Sequence, residues 1–283
     1  MALVINTNIA SLTAQRNLSN STSALGVTFK RLSSGQRINS AADDAAGLSI
    51  SDRMTSQVRG LNQAVRNAND TISLIQITES ALTETTNALQ RMRELAVQAA
   101  NDTNVSSDRA DLQKEVNQLV SEIDRIANTT QFNNQLLLQG NFREGKTFQV
   151  GANYGQTLMV SITSMGASAL HINATEMASF VTGTTTSANQ MAAESAIARI
   201  DLAINSVTAQ RASLGALQNR FEAVVANLTN ISLNTSIARS RILDADIAAE
   251  TAKLTQNSIM QQAGTAVLAQ ANQQPAIVLQ LLK

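Results

Sequence analysis

Cysteine and tryptophan are absent from this chain, and proline occurs once, at Pro275. Without cysteine there is no disulfide framework and no thiolate metal site, and the redox compartment stays open. With one proline in 283 residues, almost nothing interrupts long helices. Aromatic residues make up 2% of the chain, which removes the stacking platforms that single-stranded nucleic acids use. No sign of charge dominates: 21 basic residues balance 21 acidic ones, so no net field draws in nucleic acid or an anionic membrane. The single histidine, His171, cannot make a metal site alone, and no His-Glu-x-x-His pattern occurs; a surface-loop role is expected, with no cofactor or catalytic set. Membrane insertion is not expected either, because the least charged stretch, Leu254 to Leu282, is broken by amides such as Gln256, Gln261 and Gln270. Met1 to Ala10 carry no positive charge and do not read as a secretory leader.

What the chain does have is a large supply of Ala, Leu, Ile and Val, 43% apolar residues in all, set at helical spacing. The longest regular run is Leu214, Leu217, Phe221, Val224, Leu228, Ile231, Thr235, Ala238 and Ile242, with steps alternating three and four. That spacing is a coiled-coil seam, and it needs partner helices, because an apolar side chain contributes its ~1.5–3 kcal/mol only when covered.

Other helices keep the same rhythm. A second helix is expected from about Ser51 to Ala100, with the stripe Leu74, Thr78, Ala81, Thr85, Ala88, Met92, Leu95 and Ala99. Asn101 to Asn104 breaks it, and a third helix follows from Ser107 with Leu112, Val116, Leu119, Ile123 and Ile126 facing one way. Phe148 and Val150, then Leu158, Val160 and Ile162, alternate with period two around Asn153-Tyr154-Gly155 and predict one small β-hairpin. Residues 164–189 show no period; Ser187 with Gln190 resembles a capping box where the long C-terminal helix begins.

The two ends mirror one another. Leu18, Leu25 and Leu32 recur every seventh position, with Thr22 and Phe29 expected at the alternate places, and Gly35 suits a helix end. Asp43 and Asp44 are adjacent, so they point apart and read as a structural turn rather than an acid/base pair. From Leu254 onward no charge appears before Lys283. Each end is too poor in apolar surface to offset roughly 1–2 kcal/mol of ordering per residue, so each is expected to need cover, and the two are natural partners.

Several motifs stand out near the start: Asn6-Thr7-Asn8, Arg31-Leu32-Ser33-Ser34-Gly35, Arg37-Ile38-Asn39-Ser40-Ala41, Asp43 to Leu48 and Arg66 to Asp70. Leu89-Gln90-Arg91-Met92-Arg93-Glu94-Leu95 and Thr130-Gln131-Phe132-Asn133 follow, and Leu214 to Phe221, Ser240 to Asp246 and Gln270 to Pro275 complete the set. Together these motifs resemble bacterial flagellin. Ala42 stands where the family often has lysine, and Asn134 where it often has glycine.

The resemblance implies a mainly α fold, with long coiled-coil-like helices formed by the two chain termini and a small β-hairpin region at the outer end of the rod. Residues 1–44 with 245–283 would form an inner coiled-coil core, and 45–163 with 188–244 a helical rod including the hairpin at about 146–163; residues 164–187 would be a short variable surface insert. It implies a structural, non-enzymatic subunit that homo-polymerises into the extracellular flagellar filament for motility. Export would be unfolded, through the flagellar type III system, with an export chaperone at the C-terminal segment and filament cap and hook-associated proteins as further partners. Gln90, Arg91, Glu94, Leu95, Gln98 and Glu115 match the patch that packs along the filament axis and is bound by Toll-like receptor 5; Leu95 also lies on the helix stripe. Thr184, Thr185, Thr186 and Ser187 are candidate O-glycosylation sites. The alternative is a hook-filament junction protein with flagellin-like termini. An adhesin of the coiled-coil type and an enzyme carrying a catalytic insert are more distant readings.

Overall fold

The computed structural model describes residues 7–173, 177 and 186–281, with the backbone alone for 186–190 and 275–281. Its helices are α1 (Ile9–Ser34), α2 (Ala45–Ala99), α3 (Ser106–Thr129), α4 (Thr186–Leu243) and α5 (Ile247–Leu281). Its strands are β1 (Gln131–Phe132), β2 (Gln135–Leu136), β3 (Lys146–Gln149) and β4 (Thr157–Val160). Two compact units divide at 58/59 and 232/233, well inside the boundaries that the family resemblance implies.

The unit holding both ends is built from α1, α5 and the adjoining ends of α2 and α4. Asn8 caps α1 by accepting from the Ser11 amide at 3.1 Å, and Gly35 ends it at φ 69°, a left-handed conformation that costs glycine nothing. Asp44 accepts from the Gly47 amide at 2.8 Å, and this cap starts α2 at Ala45, earlier than the expected Ser51. Asp43 closes the preceding turn instead, accepting from the Asn39 and Ser40 amides at 3.1 and 2.9 Å. At the other end Asp246 caps α5 through the Ala248 amide at 2.9 Å.

α1 and α5 pair antiparallel along a seam that mixes leucine and alanine with hydroxyls and amides. Ser11, Ala14, Leu18, Ser21, Leu25, Thr28 and Leu32 face inward on α1; Glu250, Leu254, Asn257, Gln261, Gly264, Leu268 and Ala271 do so on α5. The alternate places on α1 therefore belong to Ser21 and Thr28. Phe29, expected there, is 64% exposed, because the 3.6-residue turn carries it one position past the seam.

The second unit packs α2, α3 and α4 around a continuous core. Leu74, Thr78, Thr85, Ala88, Met92, Leu95 and Ala99 of the α2 stripe are all buried, as are Val116, Ile123 and Ile126 of α3. β3 and β4 pair antiparallel with Phe148 opposite Leu158, and the Asn67 amide donates to the Gln149 carbonyl at 3.1 Å, tying the hairpin to α2. Gly60 permits that approach: a Cβ there would lie 2.9 Å from the Ala152 Cβ. A second, shorter pair escapes the period-two signal. β1 and β2 are joined by Asn133 and Asn134 at φ 48° and 61°, a two-residue turn of the kind Asn favours.

Two expectations need correction. The stretch after Ser164 reads as surface, yet Met165, Ala167, Leu170, Ile172 and Met177 are buried in the core, and the Ala167 amide donates to Asp124 at 2.8 Å. Its apolar residues lack a period because they cover the core from a loop, where no repeating geometry spaces them. The α4 seam also departs from its strict alternation. Leu214, Phe221 and Leu228 are buried, Leu217, Val224 and Ile242 partly so, but Ile231 is 42% exposed and Ser232 takes the inward place. A straight helix drifts about 20° per heptad from a 3.5 repeat, so by this point the inward line falls between neighbouring positions and Ser232 lies nearer to it than Ile231.

Candidate interaction surfaces

The expected recognition patch sits on α2 and α3 near their connecting loop. Gln90, Arg91, Glu94 and Gln98 lie one to four residues apart and are exposed together on α2; Glu115 is exposed on α3. Arg91 joins them, donating from Nε to Glu115 at 2.9 Å and from Nη1 to Glu94 at 3.0 Å. These bonds, Glu115's first and then Glu94's, hold the Arg91 guanidinium above its ordinary pKa. Exposed pairs of this kind add little stability, so their consequence is geometric: three charged tips are presented in one arrangement. Leu95 is not part of that surface. It is 1% exposed and belongs to the core, because its place on the α2 stripe turns it toward the other helices.

Beside the patch runs an open groove of about 720 Å³ between α2 and α3, with Glu84, Arg91, Glu122 and Arg125 along it and Leu119 and Ile126 in its lining. Arg125 grips Glu122 through two bonds of 2.7 and 2.6 Å, which hold the Glu122 carboxyl below its ordinary range. On the same helix as the patch, Arg93 donates to Asp201 of α4 at 2.7 Å.

Sequence reasoning missed Arg109. It is 2% exposed, and its Nε and Nη2 donate to the Ala99 and Asn101 carbonyls at 3.0 and 3.2 Å, with Asp102 3.8 Å away. A side chain from the first turn of α3 thus satisfies the open carbonyl end of α2. The signal was present: Arg109 is one heptad before Val116, on the inward phase of α3.

The end-to-end unit carries the other surface. Across the α1–α5 seam the Asn8 amide donates to the Ala271 carbonyl at 2.7 Å, Ser11 to Asn272 at 2.6 Å, and Asn257 to Thr28 at 3.2 Å. Large apolar side chains point the other way: Ile9, Leu12 and Phe29 of α1, and Ile259, Met260 and Val267 of α5, are each more than half exposed. Thr184 and Thr185 lie outside the described residues, and only the helical backbone is described at Thr186 and Ser187. Among the described residues there is no cluster of three metal-ligating side chains and no helix long and apolar enough to cross a membrane.

The sequence model of the bacterial flagellin N-terminal helical region matches residues 5–143, and that of the C-terminal helical region matches residues 197–282. The chain belongs to the flagellin family. Among its flagellin relatives, that of Halalkalibacterium halodurans is 47% identical over 281 residues, covering 99% of this chain and 100% of its own. The flagellin of Bacillus subtilis is 44% identical over 303 residues, covering 99% of each. A solved structure from Vibrio parahaemolyticus, described as a flagellar hook-associated protein, has a TM-score of 0.62 at 16% identity, covering 71% of this chain and 100% of its own, and shares the fold alone. As a flagellin, the chain is a structural subunit that self-polymerises into the extracellular flagellar filament, and it is not an enzyme.

Proposed function

We propose that the paired termini, residues 1–44 with 245–283, form the inner layer of the filament and that stacking beside identical copies supplies the apolar cover they lack. The observation that carries this is the division on α1 and α5: leucines share the seam with amides and hydroxyls, while Leu12, Phe29, Ile259 and Met260 face outward without cover. Contacts of that kind propagate without closing, since each copy offers one face and accepts another. Residues 45–163 and 188–244 form the surrounding rod. Swimming motility follows from the filament's mechanics.

The same weakness of the ends suits export in an unfolded state through the flagellar type III system, with a chaperone covering the C-terminal segment. Filament cap and hook-associated proteins complete the partner set. Gln90, Arg91, Glu94 and Gln98 with Glu115 serve as the axial-contact surface and the surface read by Toll-like receptor 5. Leu95 acts from below by holding α2 in place. A junction protein at the filament base is the alternative, and abundance separates the two, because a filament subunit dominates sheared surface protein.

Deleting residues 254–283 is the decisive experiment. The expected product is a soluble, largely helical monomer that does not polymerise. Filaments of that truncation in electron micrographs would refute the reading.

A further inference from the structure

The inward residues of α1 repeat with a period of seven, and so do those of α5. Such a seam does not define its own register. In the observed pairing Gly264 receives Leu18, whose Cδ1 would lie 3.3 Å from a Cβ at that position. Slid by one heptad, Gly264 would meet Leu25, which is the same side chain in the same phase. Thr28 would then face Gln261 and Leu32 would face Asn257, so hydroxyls, amides and leucines again meet acceptable partners.

A charged contact does not survive the slide, and neither does the backbone clasp beside it. Glu250 is 5% exposed, and its Oε1 lies 3.6 Å from Arg31 Nη1 and 3.0 Å from Lys253 Nζ. Arg31–Glu250 is the charge pair joining α1 to α5 among the described residues. Glu250 Oε2 and Arg31 Nε are buried without a hydrogen-bond partner among the described residues, so the carboxylate meets its cations, Lys253 and Arg31, through Oε1. After a one-heptad slide Glu250 would face Asn39, beyond the end of α1, and its buried carboxylate would lose the arginine. Next to the pair stands a backbone clasp: the Arg37 amide donates to the Leu243 carbonyl at 2.7 Å, the Ala245 amide to Gly35 at 2.9 Å, and Arg37 Nη2 to Ile242 at 2.7 Å.

We infer that the Arg31–Glu250 pair, acting with this clasp, selects the register in which the two terminal helices associate, a task their heptad seam cannot perform. The deduction concerns the pairing within one chain and is tested in filaments, so it rests on the assembly reading for its setting. Lys253 also holds Glu250, at 3.0 Å, and removing both members of the pair together leaves a seam kept in register by the clasp alone.

The chain's lack of cysteine makes the register directly readable. Full-length L18C/G264C reports the observed register and L25C/G264C the slid one, each oxidised in assembled filaments. With Arg31 and Glu250 present, the first pair cross-links and the second stays a minor product. In the R31L/E250L background the slid pair is expected to rise by roughly tenfold, whereas an unchanged ratio would overturn the inference. If R31L/E250L does not polymerise, the charge-reversed R31E/E250R/K253E variant decides. Filaments with the L18C/G264C cross-link support the inference, and failure to polymerise overturns it. A parent chain that did not polymerise would count against the assembly reading instead.

Discussion

Arg109 Nε lies 3.0 Å from the carbonyl oxygen of Ala99, ten residues earlier and on the preceding helix, and the arginine is almost completely buried there. Truncating it would leave the Ala99 carbonyl without the Arg109 donor and the Asn101 carbonyl with the Asn104 amide alone. R109A is expected to destabilise the chain by about 3 kcal/mol, within the range for a broken buried polar network, and R109K to recover only part of that. Urea unfolding of the three chains checks this; equal midpoints would show that the guanidinium does not hold the α2–α3 corner.

Leu95 and Glu94 are neighbours with opposite surroundings, one buried and one exposed. L95A should cost about 2–5 kcal/mol by opening a cavity in the core, while E94A should stay within about 0.5 kcal/mol. Thermal denaturation distinguishes them. In receptor-binding assays below the melting transition, E94A is expected to weaken binding through the surface itself, and L95A in proportion to lost structure.

Asn134 occupies a left-handed conformation at φ 61°, where glycine has no Cβ to clash. N134G should therefore stabilise the β1–β2 turn by about 0.5–1 kcal/mol, and N134V should destabilise it. Denaturant midpoints test the pair, and the idea fails if N134V is as stable as the parent.

Asp43 gives a pH dependence of known sign. The Ser40 hydroxyl, followed by the Asn39 amide, holds its carboxyl below the ordinary value of 3.8. A lowered folded-state pKa means that the ionised form stabilises the link before α2. That contribution is complete above 3.8 and is lost as the pH falls through the lower folded-state value. A carboxyl-carbon titration by NMR should place the Asp43 midpoint below 3.8, and S40A should move it back upward. A midpoint at or above the ordinary value would contradict the geometry.

Much of the architecture is legible in the sequence. Gly35 marked the end of α1, Leu74 to Ala99 marked the buried line of α2, and Phe148 with Leu158 marked the hairpin, because each belongs to a local pattern with a fixed period or turn requirement. The recognition patch was only partly legible. Gln90, Arg91, Glu94 and Gln98 share one exposed stretch, but the approach of Glu115 from α3 and the withdrawal of Leu95 depend on how two helices meet.

By itself the sequence determined that this chain would be a set of long helices with under-covered ends, since its spacing, its scarcity of proline and its balanced charge act locally along the chain. Tertiary structure alone decided which residue of a stripe faces inward at each turn, as where Ser232 replaces Ile231 and Thr28 replaces Phe29. It also decided that Arg109 would be enclosed and that Met165 to Met177 would close the core. Periodicity states that a helix has an apolar side; only the bodies packed against that side set its exact direction, because the helical repeat and the heptad do not quite agree.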